Sequence, residues 1–75
     1  MTQEIKLLDI VALTRDIPER GLRRGQVGTV VDRLIKGAFE VEFADLQGRS
    51  YAFAPIKPED MLVLSYAPSS AVLST

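Results

Sequence analysis

The chain has 75 residues, of which 47% are apolar and 25% are charged, and its nine Lys and Arg against ten Asp and Glu give a net charge of −1. This balance excludes a wholly disordered chain and predicts one small domain. Cysteine and histidine are absent, which excludes disulfides and zinc-thiolate sites and removes the commonest general base at neutral pH. No apolar run reaches the roughly 20 residues of a membrane span, and the amino terminus lacks a signal-peptide pattern, so we expect a cytoplasmic protein.

The first predicted element is a strand from about Asp9 to Thr14. The apolar residues of Glu4–Leu13 could also be spaced as in a helix, but the segment ends in β-branched residues before a turn-rich stretch, which favours a strand. The following segment, Arg15–Arg24, is a predicted polar loop, in which Pro18 restricts the backbone and Gly21 permits a positive φ.

Glycine and β-branched residues introduce the second predicted strand. Gly25 and Gly28 predict a turn or bulge that leads into a strand over Thr29–Leu34. The inward register stays open, because both Val30 and Val31 could point into the core if a bulge intervenes.

The segment Ala38–Ala44 gives the clearest strand prediction, because apolar and acidic residues alternate along it. Asp45–Gly48, with glycine last, predicts a hairpin loop, and Arg49–Phe53 is the returning strand. We expect three aromatic side chains to lie in the core: Phe39, Phe43 and Phe53.

The last predicted elements follow two prolines. Pro55 and Pro58 bracket a tight connection, in which Pro58–Asp60 predicts one short 3-10 turn. Met61–Leu64 is the last short strand. Five closely spaced strands predict a small, partly open antiparallel barrel over residues 1–66. Residues 67–75 are mostly small and polar, and we expect them to form a flexible C-terminal tail.

Several segments carry a resemblance to a known family: Lys6–Thr14, Leu22–Val31, Phe39–Phe43, Asp45–Gly48 and Met61–Leu64. Together they resemble the bacterial family called domain of unknown function 4926, over roughly Lys6 to Leu64. The glycine-rich turn before the valine strand is also similar to that of KOW-type SH3-like barrels. The resemblance implies an all-β fold, a five-stranded SH3-like antiparallel barrel with a 3-10 turn before the last strand. It also implies small bacterial proteins that are often encoded beside other short or toxin-like proteins.

The sequence offers little catalytic chemistry. Glu40 and Glu42 alternate on one strand, so their side chains would project outward about 7 Å apart. Such a pair could serve metal binding or acid–base catalysis, but nothing apolar surrounds it to shift a pKa, and we interpret it as a solvated strand face. No histidine is present to activate a serine. We therefore expect no enzymatic activity, no cofactor and no metal.

The arginines of the loop Arg15–Arg24 are the most suggestive surface feature. They could bind phosphates or the carboxylates of an acidic partner. Alternatively, they form local salt bridges with Asp16 and Glu19, and the loop only confers solubility. The candidate partner-binding residues are Arg15, Arg20, Arg23, Arg24, Tyr51 and Tyr66.

We interpret the chain as a non-enzymatic, SH3-like protein-binding module whose partner is another protein or a second copy of itself. One alternative is a KOW-like module that binds nucleic acid through Arg15–Arg24, although a net charge of −1 counts against it. Another alternative, implied by the resemblance alone, is an antitoxin-like or accessory partner of a neighbouring gene product. We expect no membrane partner.

Overall fold

The computed structural model describes residues 4–64, which form one antiparallel sheet. The strands are β1 (Ile10–Leu13), β2 (Val27–Arg33), β3 (Phe39–Ala44), β4 (Ser50–Ile56) and β5 (Met61–Leu64). Short 3-10 turns lie at Pro18–Arg20, Ile35–Gly37 and Pro58–Asp60. The strand order in the sheet is β4-β3-β2-β1-β5. The predicted all-β class, the five antiparallel strands and the 3-10 turn before the last strand are thus confirmed, and the arrangement is compatible with an SH3-like barrel.

Alternation in β3 places one face of the strand in the core, as the sequence predicts. Val41 and Phe43 are fully buried, whereas Glu40 and Glu42 remain partly exposed. The side chains buried with them come from every strand and from the loops, and they form a single cluster. Its members are Ile5, Val11, Leu13, Ile17, Leu22, Val30, Val41, Phe43, Ala54, Ile56 and Met61.

A bulge in β2 decides which of its valines enters the core. Val30 lies opposite Val41 and Asp32 lies opposite Glu40, so Val31 is an extra residue on this strand. Val30 is completely buried, whereas Val31 is 36% exposed. The register that the sequence leaves open is therefore resolved in favour of Val30 alone.

β4 is longer than predicted and turns a different set of side chains inward. Its pairing with β3 shifts at Tyr51, which is the extra residue of a second bulge. Ala54 and Ile56 are buried, so Phe53, which immediately precedes Ala54, points outward and is 54% exposed. The expectation that Phe53 belongs to the core was wrong. Pro55 lies within β4, which a proline tolerates because β4 is an edge strand of the sheet.

The long loop between β1 and β2 is anchored in the core, although its sequence is mostly polar. The Ile17 N–H donates to the Leu22 carbonyl at 2.9 Å, and the Leu22 N–H donates back at 3.1 Å. Both side chains are buried, at 6% and 2% exposure. Between them the turn Pro18–Arg20 and Gly21, with φ 69°, reverse the chain. The arginines of this loop therefore stand on a segment that the hydrophobic core holds in place.

The hairpin between β3 and β4 has the predicted form. The Gly48 N–H donates to the Asp45 carbonyl at 3.0 Å, and Gly48 has φ 83°. The Asp45 carboxylate accepts the backbone N–H groups of Gln47 and Arg49 at 2.9 and 3.0 Å. Asp45 thus closes the loop through its side chain as well as its backbone.

Two expectations concern residues 65–75, outside the described range: the position of Tyr66 and the tail over residues 67–75. Within residues 4–64, no helix is both long and apolar enough to cross a bilayer.

Candidate interaction surface

Arg15 has a structural partner and is not a free cation of the loop. Its Nε lies 3.1 Å from Asp60 Oδ1, and its Nη1 donates to the Asp16 carbonyl at 2.9 Å. The hydrogen bond and the charge of Asp60 raise the pKa of the Arg15 guanidinium above its ordinary value. The sequence suggested salt bridges to Asp16 and Glu19. The carboxylate that pairs with Arg15 is instead that of Asp60, in the 3-10 turn before β5.

Arg23 and Arg24 occupy a turn whose backbone is held at several points. The Gln26 N–H donates to the Arg23 carbonyl at 3.1 Å, and the Gly25 N–H donates to the Leu13 carbonyl at 2.8 Å. The Arg24 N–H donates to Asp16 Oδ1 at 2.8 Å. The backbone of the turn is therefore fixed, while both arginine side chains extend into solvent.

Gln26 connects this turn to Tyr51 on β4. Its Oε1 accepts the Arg23 N–H, and its Nε2 donates to the Tyr51 hydroxyl at 3.0 Å. The Tyr51 ring leans on buried Phe43, with ring centroids 6.4 Å apart and planes inclined by 40°. Half of the Tyr51 side chain remains exposed. One face of Tyr51 is therefore fixed against the fold, and the other is presented beside the arginines.

We call the exposed area formed by Asp16, Arg23, Arg24, Gln26 and Tyr51 the Arg–Tyr surface. Asp16, Arg23 and Arg24 line a shallow depression in it. Among the ion pairs of residues 4–64, neither Arg23 nor Arg24 takes part, so both guanidinium groups are available to a ligand.

The structure brings together only part of the predicted site. Asp16, Arg23 and Arg24 line one depression, and Gln26 links the Arg23 backbone to the Tyr51 hydroxyl. Arg20 lies instead on the 3-10 turn in the middle of the loop, and Arg15 is engaged with Asp60. Tyr66 lies outside the described residues. Sequence reasoning missed Gln26, although a polar amide that closes a turn before a strand is a recognisable signal for a side chain that bonds the backbone.

The two predicted glutamates of β3 lie on the outer face of the strand, where Phe53 and Pro55 of β4 are the residues opposite Glu42 and Glu40. Glu42 accepts a hydrogen bond from the Ser50 hydroxyl, and Glu40 lies opposite the like-charged Asp32. Within residues 4–64, no group of three or more acidic side chains is placed to hold a metal ion. The two carboxylates therefore have different neighbours, Ser50 for Glu42 and Asp32 for Glu40.

The sequence was also compared with protein-family models, curated proteins and solved structures. The family model described as a domain of unknown function, DUF4926, matches residues 7–63. The chain belongs to the DUF4926 family. No curated protein and no solved structure matches it. The DUF4926 match begins at Leu7, before β1, and ends in β5, so it includes every residue of the Arg–Tyr surface.

Proposed function

We propose that this DUF4926 chain is a non-enzymatic protein-binding module and that the Arg–Tyr surface is its contact with the partner. The observation that carries the proposal is the placement of two solvent-facing arginines beside a half-exposed tyrosine. Arginine and tyrosine are among the residues that contribute most to binding free energy at protein interfaces.

The rigidity of the surface supports this use. The backbone of the arginine turn is hydrogen-bonded to Leu13, Asp16 and Gln26, and the Tyr51 ring rests on Phe43. Ordering of loops and side chains opposes association, so a contact that is already ordered binds at a smaller entropic cost. Guanidinium groups form paired hydrogen bonds with carboxylates, which makes acidic side chains of the partner the expected ligands of Arg23 and Arg24.

The absence of enzymatic activity is part of the proposal and rests on side-chain chemistry. The sequence holds no histidine and no cysteine. The Ser50 hydroxyl donates to Glu42 on the outer side of the sheet, where Ser50 is exposed and Glu42 partly exposed to water, and a serine needs an adjacent base to act as a nucleophile.

A pull-down from the native host tests the proposal. We expect wild-type protein to retain a specific partner and the Arg23→Ala/Arg24→Ala variant to lose it. Lys6→Ala/Arg49→Ala is the matched control, since it removes the same number of positive charges from a different part of the surface and should retain the partner. Equal retention by both double variants would contradict the assignment of the surface.

The identity of the retained species separates two forms of the proposal. A sizing column run on the protein alone detects self-association, whereas co-expression with the product of a flanking gene detects an antitoxin-like or accessory pairing. In either form, the complex should dissociate in the Arg23→Ala/Arg24→Ala variant.

Nucleic acid is the second candidate ligand, favoured by one observation. Arg20, Arg23 and Arg24 make no ion pairs within residues 4–64, and the exposed face of Tyr51 could stack on a base. Binding to RNA or DNA would weaken steeply as salt is raised, because phosphate contacts release counterions. A fluorescence titration with single- and double-stranded RNA and DNA at two salt concentrations tests this. Lack of binding to all four at low salt would eliminate the candidate.

A further inference from the structure

A second concave surface is formed by residues that are not part of the Arg–Tyr surface. It is an open groove of about 840 Å³ between the turn that joins β2 to β3 and the segment that follows β4. Much of its lining is apolar and includes Leu34, Ile35 and Pro55. We call it the β2–β3 groove.

Positive charge surrounds this apolar lining. Arg33, Lys36 and Lys57 contribute three cations, against the single carboxylate of Glu59. Among the ion pairs of the described residues, none involves these three cations. The groove is therefore locally basic in a chain whose net charge is −1, and its charge is complementary to an acidic ligand.

The turn that forms one wall holds an apolar side chain away from the core. Ile35 is 85% exposed. The next two residues, Lys36 and Gly37, have positive φ values of 67° and 81°, so the 3-10 turn is distorted at these two residues. Asparagine adopts a positive φ more readily than other residues with a side chain, and lysine adopts it at a cost. An exposed isoleucine thus stands beside a lysine whose backbone conformation costs free energy, and both line the groove.

We propose that the β2–β3 groove binds an acidic segment of a partner protein, in which apolar side chains contact Leu34 and Ile35 and carboxylates pair with Arg33, Lys36 and Lys57. Among the residues that the structure describes, no aromatic side chain lines the groove. It therefore lacks the platform on which nucleic-acid bases stack and the aromatic walls that recognise proline-rich helices. Charge and apolar surface together favour an acidic, apolar peptide over both.

Selection from a phage-displayed library of random dodecapeptides, on the immobilised full chain, tests the proposal. We expect enrichment of peptides that combine several Asp or Glu with Leu, Ile or Val. A selected peptide is then labelled and titrated with wild-type protein and with the Lys36→Asn/Lys57→Gln variant. Loss of two charge-assisted contacts should weaken binding at least tenfold.

The variant is chosen so that weaker binding cannot be ascribed to misfolding. Asparagine suits the left-handed backbone at position 36 better than lysine does, so Lys36→Asn alone should melt at or above the wild-type temperature while it weakens the peptide complex. Arg23→Ala/Arg24→Ala is the matched double control. It should bind the selected peptide as wild type does, whether or not the Arg–Tyr surface has a partner of its own.

Several results would overturn the proposal. One is no enrichment of acidic peptides over a blank support, and another is a peptide whose affinity the Lys36→Asn/Lys57→Gln variant leaves unchanged. A peptide that no longer binds only when Arg23→Ala/Arg24→Ala is the variant would be a ligand of the Arg–Tyr surface and not of the groove. If the wild-type protein is a dimer and Lys36→Asn/Lys57→Gln dissociates it, the groove binds a second copy of the chain. If a single-stranded oligonucleotide binds through the same residues, the ligand is a nucleic acid and not a peptide.

Discussion

At the scale of single residues, Gly25 and Gly28 have different structural roles, although only two residues separate them in the sequence. Gly25 has φ 91° and open space around its Cα, so its role is the left-handed backbone of the arginine turn. Gly28 lies within β2, where a Cβ would come within 2.6 Å of Val41 Cγ1 and 2.8 Å of the Glu42 carbonyl oxygen. The predicted turn therefore depends on the positive φ of Gly25. Gly28 instead allows β2 to pack closely against β3 because it has no Cβ.

Gly28→Ala should destabilise the fold by about 1–3 kcal/mol, because the added methyl group overlaps fixed atoms of the neighbouring strand. The urea concentration at the midpoint of unfolding measures the loss. Gly25→Asn is the control, since asparagine tolerates a positive φ and meets no neighbour there. A Gly28→Ala midpoint equal to wild type would contradict the close approach.

At the scale of elements, Arg15 and Asp60 join the end of β1 to the 3-10 turn before β5. The side chains form an ion pair at 3.1 Å, and the Thr14 N–H donates to the Asp60 carbonyl at 2.9 Å. β1 and β5 are already paired along their length, so these contacts extend their junction beyond the sheet. The base of the arginine loop is thereby fixed to the segment that begins the last strand.

Arg15→Gln should destabilise the protein slightly, by an amount that does not change between about pH 6 and 9. Asp60 raises the pKa of Arg15 in the folded state, and such a group contributes stability below its unfolded pKa and loses it only as pH rises through the folded pKa. Both values lie far above the tested range. Urea unfolding of wild type and variant at several pH values measures the difference.

Salt provides the control for this ion pair. The difference between wild type and Arg15→Gln should shrink as ionic strength is raised, because the pair is partly exposed and therefore screened. Arg20→Gln removes an arginine that has no ion pair within residues 4–64 and should show no such trend. A difference that varies across neutral pH, or ignores salt, would argue against the pair.

At the scale of the whole molecule, one hydrophobic cluster supports both the sheet and the arginine loop. Leu22, in the middle of that loop, is 2% exposed and belongs to the same cluster as Val41 and Phe43 on β3. A chain of this length is stable by roughly 4–11 kcal/mol in total. The candidate interaction surface therefore depends on the global fold and is not a separate flexible arm.

Leu22→Ala should lower the free energy of unfolding by about 2–5 kcal/mol, as burial of a leucine in a tight core predicts. Far-UV circular dichroism during urea unfolding reports this loss from the sheet itself. Leu46→Ala is the control, because Leu46 lies fully exposed in the hairpin loop and should change stability by less than about 0.5 kcal/mol. If the sheet of Leu22→Ala unfolded as wild type does, the loop would not share the core.

The tertiary structure decided the features that depend on which residues face one another across strands. Alternation alone suggested that Phe53 shares the core with Phe43, but the bulge at Tyr51 reverses the faces of β4 beyond it. No local pattern signals that bulge, because its position is set by pairing with β3. The link from Gln26 to Tyr51 spans 25 residues and exists only because β2, β3 and β4 are neighbours.

The sequence by itself determined the elements whose causes are local. Alternation defined β3, the turn chemistry of Asp45–Gly48 defined the hairpin, and Pro58 began the 3-10 turn before β5. It also named Arg23, Arg24 and Tyr51 as candidates for binding. Only the fold separated these residues from Arg15 and formed the β2–β3 groove, since ion pairing and concavity arise between segments that are distant along the chain.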